Sequence, residues 1–172
     1  MTKNLFEMSS ARWTEQETIG LAEVRSRLSD TLNHAPQYVE VVGDRRILRF
    51  LRGHEFDIDK TCEMLEKFIV WRREYGVDDI RRDIAERGIN HPRLFPAADK
   101  ILPLVPQIVI NTAIRDRSGA PLCVEQYNFS PSNVLSQISL AEYVRFTIYC
   151  LEYKSMILEV PYGIAMIAIL IE

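Results

Sequence analysis

Arg45, Arg46, Arg49 and Arg52 fall within eight residues of the stretch DRRILRFLRGHEFDIDK, Asp44 to Lys60, interleaved with Ile47, Leu48, Phe50 and Leu51. Guanidiniums at this density can neutralise phosphates, lie against a charged membrane surface, or keep one face of a helix in water. Wound as a helix, the stretch puts Arg45, Arg49 and Arg52 on one face and Ile47, Leu48 and Leu51 on another. In the solvated reading the arginines pair with Glu55, Asp57 and Asp59. Entry into a nucleic-acid groove is disfavoured, because the helix is short, Gly53 stops it and acidic residues follow at once.

Other chemistry leaves no motif. The sequence has no G-x-G-x-x-G, no G-x-x-x-x-G-K, no G-x-S-x-G and no H-E-x-x-H. His34, His54 and His91 stand far apart, and Cys62, Cys123 and Cys150 never reach ligand spacing, so no metal site is expected. The carboxylates offer no distinguished acid–base pair. No catalytic residue and no cofactor is proposed.

The elements that must carry these residues belong to a chain of 172 residues, 47% hydrophobic and 26% charged, with a formal net charge of −3. That composition excludes a disordered chain and gives no global attraction to nucleic acid. Three cysteines at long spacings fit a reducing compartment without a disulfide framework. The opening MTKNLFEMSSARW lacks the apolar core of a signal peptide.

Residues 1–12 are read as a mobile tail. From Thr14, the residues Ile19, Leu21, Val24, Leu28 and Leu32 predict one amphipathic helix ending before Pro36. A second helix is expected to start at Asp44, with the Asp44 carboxylate as its cap, and to end at Gly53. A third starts after Asp57 as cap. It carries the stripes Ile58–Cys62–Leu65–Ile69 and Met64–Phe68–Trp71–Tyr75, and the two together predict a broad apolar face with Trp71 largely buried. A proline-punctuated connector leads to two strands, QIVINTAIR and PLCVEQYN, around the turn Asp116 to Gly119. A long helix follows, SLAEYVRFTIYCLEYKSMILE, and then GIAMIAILI, Gly163 to Ile171, which is short for a membrane span and reads as a buried parallel strand.

The string DRRILRFLRGHEFDIDKTCEMLEKFIVWRREYGVDDI resembles the N-terminal helical motif of the CRAL-TRIO family, which includes phosphatidylinositol/phosphatidylcholine transfer proteins. The likeness lies in order and spacing together: Asp44, then Leu48-Arg49-Phe50-Leu51-Arg52, then Phe56-Asp57, then Trp71-Arg72. Further on, the family's D-x-x-G-x-P-V turn is matched by Asp116, Gly119, Pro121 and Leu122. Glu125 stands where the family often has an acid, and Glu152 matches a glutamate of the following helix. By this resemblance the candidate lipid-binding residues are Arg52, His54, Cys123 and Glu125. Where phospholipid-transfer members commonly carry A-R-K near the inositol phosphate, this chain has Gly53-His54-Glu55, and Cys123 replaces a cavity tyrosine. An arginine-to-histidine change weakens a bidentate phosphate contact and lysine-to-glutamate reverses the charge, which points to a hydrophobic ligand other than phosphatidylinositol, or to loss of binding.

The resemblance covers about residues 30–172. It implies an α/β fold (α+β overall): a helical N-terminal subdomain over 13–92, then over 93–172 the first part of an α/β lipid-binding domain, incomplete because the family pattern continues beyond the last residue. It also implies non-enzymatic binding and intermembrane transfer of a lipid or lipophilic small molecule by an intact parent, in the cytoplasm and at membrane surfaces. The competing reading is a membrane-recruitment or protein-interaction module of a signalling protein. Expected partners are a phospholipid or other hydrophobic ligand and the membrane periphery, with no nucleic acid. Self-association through an exposed C-terminal strand is a further expectation.

Overall fold

Thr14 opens the first helix. Its hydroxyl accepts the Glu17 N–H at 3.2 Å, and the Glu17 Oε2 accepts the Thr14 N–H at 2.8 Å, so two of the orphan donors at the helix start are satisfied reciprocally. The helix, α1, spans Glu15–Arg27 and buries Glu17, Gly20, Leu21 and Val24, residues spaced three and four apart. Ile19 lies off that stripe and is 63% exposed, contrary to its expected place in the apolar face. The single helix expected up to Pro36 is broken at Leu28, and α2 resumes over Ser29–His34.

The computed structural model describes residues 13–89, 91–105, 109–115, 121–124 and 129–159, with backbone alone in the strands and over 157–159. The chain divides into two compact units, Met1–Glu74 and Tyr75–Glu172.

In the first unit α3 (Val39–Val42) leads directly into α4 (Asp44–Gly53), and α5 (Ile58–Glu74) follows. Leu21, Val24, Leu28 and Leu32 meet Ile47, Leu48, Leu51 and Leu65 in one core. A Cβ on Gly20 would stand 3.3 Å from a Leu51 methyl, so the missing side chain lets α1 lie close on α4.

Asp44 does not cap α4. The cap position belongs to Gly43, whose Cβ, if present, would stand 2.2 Å from the Val39 carbonyl oxygen, and the Asp44 carboxylate accepts the Arg25 Nε–H at 2.7 Å instead. The helix ends at Gly53, as expected, but the left-handed turn that closes it lies two residues further on. Glu55 and Phe56 hold the left-handed conformation, at φ of 55° and 64°. Phe56 N–H bonds the Leu51 carbonyl at 2.8 Å and Glu55 N–H the Arg52 carbonyl at 3.3 Å, a Schellman closure with glutamate where glycine is usual. Asp57 does cap α5, its Oδ1 accepting the Lys60 N–H at 2.9 Å. Along the two stripes of α5, Leu65 is fully buried, with Thr61 and Arg72 beside it, and Ile58, Cys62, Met64, Phe68, Ile69 and Trp71 are partly buried, whereas Tyr75, just beyond the helix, is 50% exposed.

The second unit holds α6 (Val77–Glu86), a 3₁₀ turn (Pro92–Leu94), α7 (Ala98–Ile101), strands β1 (Val109–Arg115) and β2 (Pro121–Val124), α8 (Pro131–Gln137) and α9 (Leu140–Glu159). The turn and α7 replace what the prolines suggested was a plain connector. Ser139 starts α9 with a second reciprocal cap: its Oγ accepts the Glu142 N–H at 3.2 Å and Glu142 Oε2 accepts its N–H at 3.1 Å. α9 packs on α6. Phe95 sits among Phe146, Tyr149 and Tyr153 with ring centroids 5.9, 5.3 and 5.7 Å away. Tyr149 O–H donates to Asp83 Oδ2 at 2.9 Å, and Arg87 pairs with the same oxygen at 3.0 Å.

The expected α/β fold class is corrected by this architecture. The described residues are predominantly helical, and their only pairing of strands is β1 with β2, antiparallel, with Val109 opposite Val124 and Ile110 opposite Cys123. Two antiparallel strands make no layered sheet covered by helices, which is what an α/β domain requires. The sequence pattern identified segments of β-branched residues, but the residue pattern of a segment does not say how many strands assemble. The expected strand Gly163 to Ile171 and the tail 1–12 lie outside the described residues.

Candidate functional site

The arginine-bearing face of α4 is the starting point. Its helix forms because Ile47, Leu48 and Leu51 are buried against α1 and α5, which leaves Arg45, Arg49 and Arg52 on the outer side, all exposed. For Arg52 the partner is not the expected Glu55, Asp57 or Asp59. Arg52 reaches across to α1: Nε donates to Glu17 Oε1 at 2.8 Å and Nη2 stands 2.6 Å from the same oxygen. Asp59 pairs with Arg27 of α1 at 2.5 Å, and Asp57 is spent on its cap. Glu17, with the Thr14 backbone N–H on one oxygen and the Arg52 guanidinium on the other, is held below the usual carboxylate range.

Behind that face lies a row of rings. Phe50 stands 6.5 Å from His54 and 5.6 Å from Phe68, and Phe68 stands 6.4 Å from Trp71. The guanidinium carbons of Arg46 and Arg72 lie 5.3 and 5.6 Å from the Phe68 ring centre. Cations over the negative ring face are stabilised electrostatically, by about 0.5–2 kcal/mol according to desolvation. Arg46 is fixed further by donating from Nε to the Glu40 carbonyl at 2.7 Å. Glu17 and Phe68 were both missed as site residues by sequence reasoning; the capping-box spacing Thr14–Glu17 is the signal that could have drawn attention to the first.

Of the four residues singled out from sequence, Arg52 and His54 come together at the C-terminal end of α4 in the first unit. Cys123 lies in β2 of the second unit, and Glu125 lies outside the described residues. Arg52 uses Nε and Nη2 on Glu17 and retains the donors of Nη1. Among the described residues no group of His, Cys, Asp and Glu is placed to hold a metal ion, and no helix is long and apolar enough to cross a membrane.

What the arrangement offers chemically is a cationic, donor-rich helix face over half-buried rings. No family model matches the chain. Curated relatives do. The chain is 30% identical over 105 residues to the SEC14 cytosolic factor of Schizosaccharomyces pombe, covering 61% of this chain and 32% of the relative. It is 26% identical over 133 residues to a phosphatidylinositol/phosphatidylcholine transfer protein of Arabidopsis thaliana, covering 77% and 19%. Against a CRAL-TRIO domain-containing protein of Saccharomyces cerevisiae it is 30% identical over 113 residues, covering 66% and 33%. The chain thus spans a third or less of the length of these relatives. By these matches the chain is related to the CRAL-TRIO family.

Proposed function

We propose that this protein binds a phospholipid or another lipophilic molecule and moves it between membranes without making or breaking covalent bonds. The observation that carries the reading is the relationship to phosphatidylinositol/phosphatidylcholine transfer proteins across most of the chain. Burial drives such binding: each methylene removed from water contributes roughly 0.8 kcal/mol, so an acyl chain needs no catalytic partner to be held. Within this reading Arg52, through its Nη1 donors, and His54 are headgroup contacts. The protein acts in the cytoplasm and at the membrane periphery.

The test is direct. The chain is incubated with vesicles of phosphatidylcholine containing phosphatidylinositol, re-isolated, and weighed by native mass spectrometry, and transfer of fluorescent phosphatidylcholine between donor and acceptor vesicles is followed in parallel. A complex with one lipid per chain and catalysed transfer are expected. Re-isolation free of lipid, with no transfer above the spontaneous rate, overturns the reading in favour of an interaction module.

A further inference from the structure

Between Glu125 and Glu142 the chain carries no Asp, Glu, Lys, Arg or His, in a protein that is 26% charged. The described part of this run is α8 and the start of α9. Its inward side chains are Val134 and Ile138, 2% and 6% exposed, while Leu135 is 50% and Leu140 62% exposed. These two leucines are five positions apart in the chain, so they stand at most about 18 Å apart. Between them lie only Ser136, Gln137, Ile138 and Ser139.

Exposed leucines scattered singly are ordinary, but here the surroundings differ from the rest of the surface. Ser130, Ser136 and Ser139 turn their hydroxyls to local partners: Ser130 to the Asn133 N–H, Ser136 to the Asn133 carbonyl and Ser139 to Glu142. The nearest charge along the chain, Glu142, has one carboxylate oxygen folded onto the Ser139 cap and the other 3.6 Å from Lys100 Nζ. This segment can therefore leave bulk water without stripping an unpaired charge of its hydration, which is the dominant cost of entering a lipid interface.

We infer that the α8–α9 junction is a membrane-docking surface that inserts Leu135 and Leu140 into the headgroup–acyl boundary of a bilayer, by burial and not by charge. The inference deepens the lipid-carrier reading, on which it rests for the nature of the partner. It assigns membrane contact to an uncharged segment of the second unit and not to the arginine face of α4. Binding should accordingly be indifferent to anionic lipid and to salt, since screening acts on charge pairs and leaves apolar burial intact.

The full chain, its L135S/L140S double variant and a separate L140W variant are mixed with vesicles of pure phosphatidylcholine and sedimented at about 0.05 M and about 0.5 M NaCl, a range that shortens the screening length severalfold. Parent binding at both salts is expected, weakened in the double variant by about tenfold per leucine. Circular dichroism of the double variant should match the parent, since both positions are exposed, and L140W emission should shift to the blue when vesicles are added. The inference is overturned if the parent does not sediment with vesicles, if its binding disappears at the higher salt, if the double variant binds as well as the parent, or if L140W emission stays unshifted. Native mass spectrometry on the same samples separates this result from the carrier reading. Lipid retained by a chain whose vesicle binding ignores both leucines sinks the docking surface alone. Leucine-dependent binding with no lipid retained upholds the surface and removes the carrier function.

Discussion

The carboxylate of Glu17 ties the start of α1 to the end of α4. One oxygen accepts the Thr14 N–H and the other faces Arg52 Nε and Nη2, at 2.8 and 2.6 Å. The two partners are 35 positions apart in sequence, so this pair closes about half of the first unit, Met1–Glu74, into one loop.

Thr14→Ala removes the hydroxyl half of the cap and should cost about 1 kcal/mol in urea unfolding. Glu17→Gln keeps the shape and removes the charge. Because the folded carboxyl is held below its ordinary value of 4.5, its contribution is fully present above that pH and is lost as the pH falls through the lowered folded value. The parent should therefore lose stability faster than Glu17→Gln on acidification below about 4.5; parallel curves would show the tie to be energetically idle.

Glu63 makes a second acid-side test. Hydrogen bonds from Lys60 and Lys67 bring its pKa down to about 2. The sign is the same, and the window runs from the ordinary carboxylate value down to that one. Carbon-13 titration of the Glu63 carboxyl should give a midpoint well below those of isolated glutamates at low ionic strength. All three side chains are close to half-exposed or more, so about 1 M salt should move it back toward normal.

Leu65 and Ile19 separate burial from periodicity. Leu65→Ala, at a site with no exposed surface, should cost about 2–5 kcal/mol. Ile19→Ala should stay within about 0.5 kcal/mol. Equal costs would mean that Ile19 packs where the helical repeat alone places it.

The end of α4 carries its glycine two residues early. Gly53 is helical with nothing within 4 Å of an added Cβ, so Gly53→Ala should stabilise by about 0.4–1 kcal/mol. Glu55→Gly relieves the left-handed backbone and should stabilise by about 1 kcal/mol. Gly43→Ala should do the opposite, since its new methyl meets the Val39 carbonyl. Thermal unfolding of the three variants reads all three signs.

Tyr149→Phe deletes the hydrogen bond to Asp83 and should cost about 1 kcal/mol, because Arg87 still accompanies the carboxylate. Burial first, and then Asp83, push the Tyr149 phenol above its ordinary value of 10.0. A raised phenol stabilises the fold fully below that value and loses the contribution as the pH rises through the folded one. Alkaline unfolding of the parent should be steeper than that of the variant.

Local signals in the sequence found what local forces decide. Thr14, Asp57 and Ser139 each mark a helix start because capping needs only a side chain and the next turn. The 3₁₀ turn at Pro92 and the single turn of α7 carry too few residues for any periodicity to register. Asp44 and Arg52 were misjudged for a different reason. Each looked for a partner within its own neighbourhood, whereas Arg25 and Glu17 lie on another helix brought close only by the packing of Leu21, Val24, Ile47 and Leu51. The candidate site was legible to the same degree. Its residue types stood out in one row, but the rings beneath them, Phe50 and Phe68, meet only once α4 and α5 are folded together.

The stacking of Trp71 on Phe68 has an optical consequence. The chain contains two tryptophans, Trp13 and Trp71, and both belong to the first unit, packed on or near its core. Their emission reports that unit alone, whereas far-ultraviolet dichroism weighs the long helix α9 together with everything else. Unfolding curves recorded by the two signals will superimpose only if the units Met1–Glu74 and Tyr75–Glu172 melt as one cooperative body. A gap between the midpoints would measure, without any mutation or label, how far the second unit's stability differs from the first.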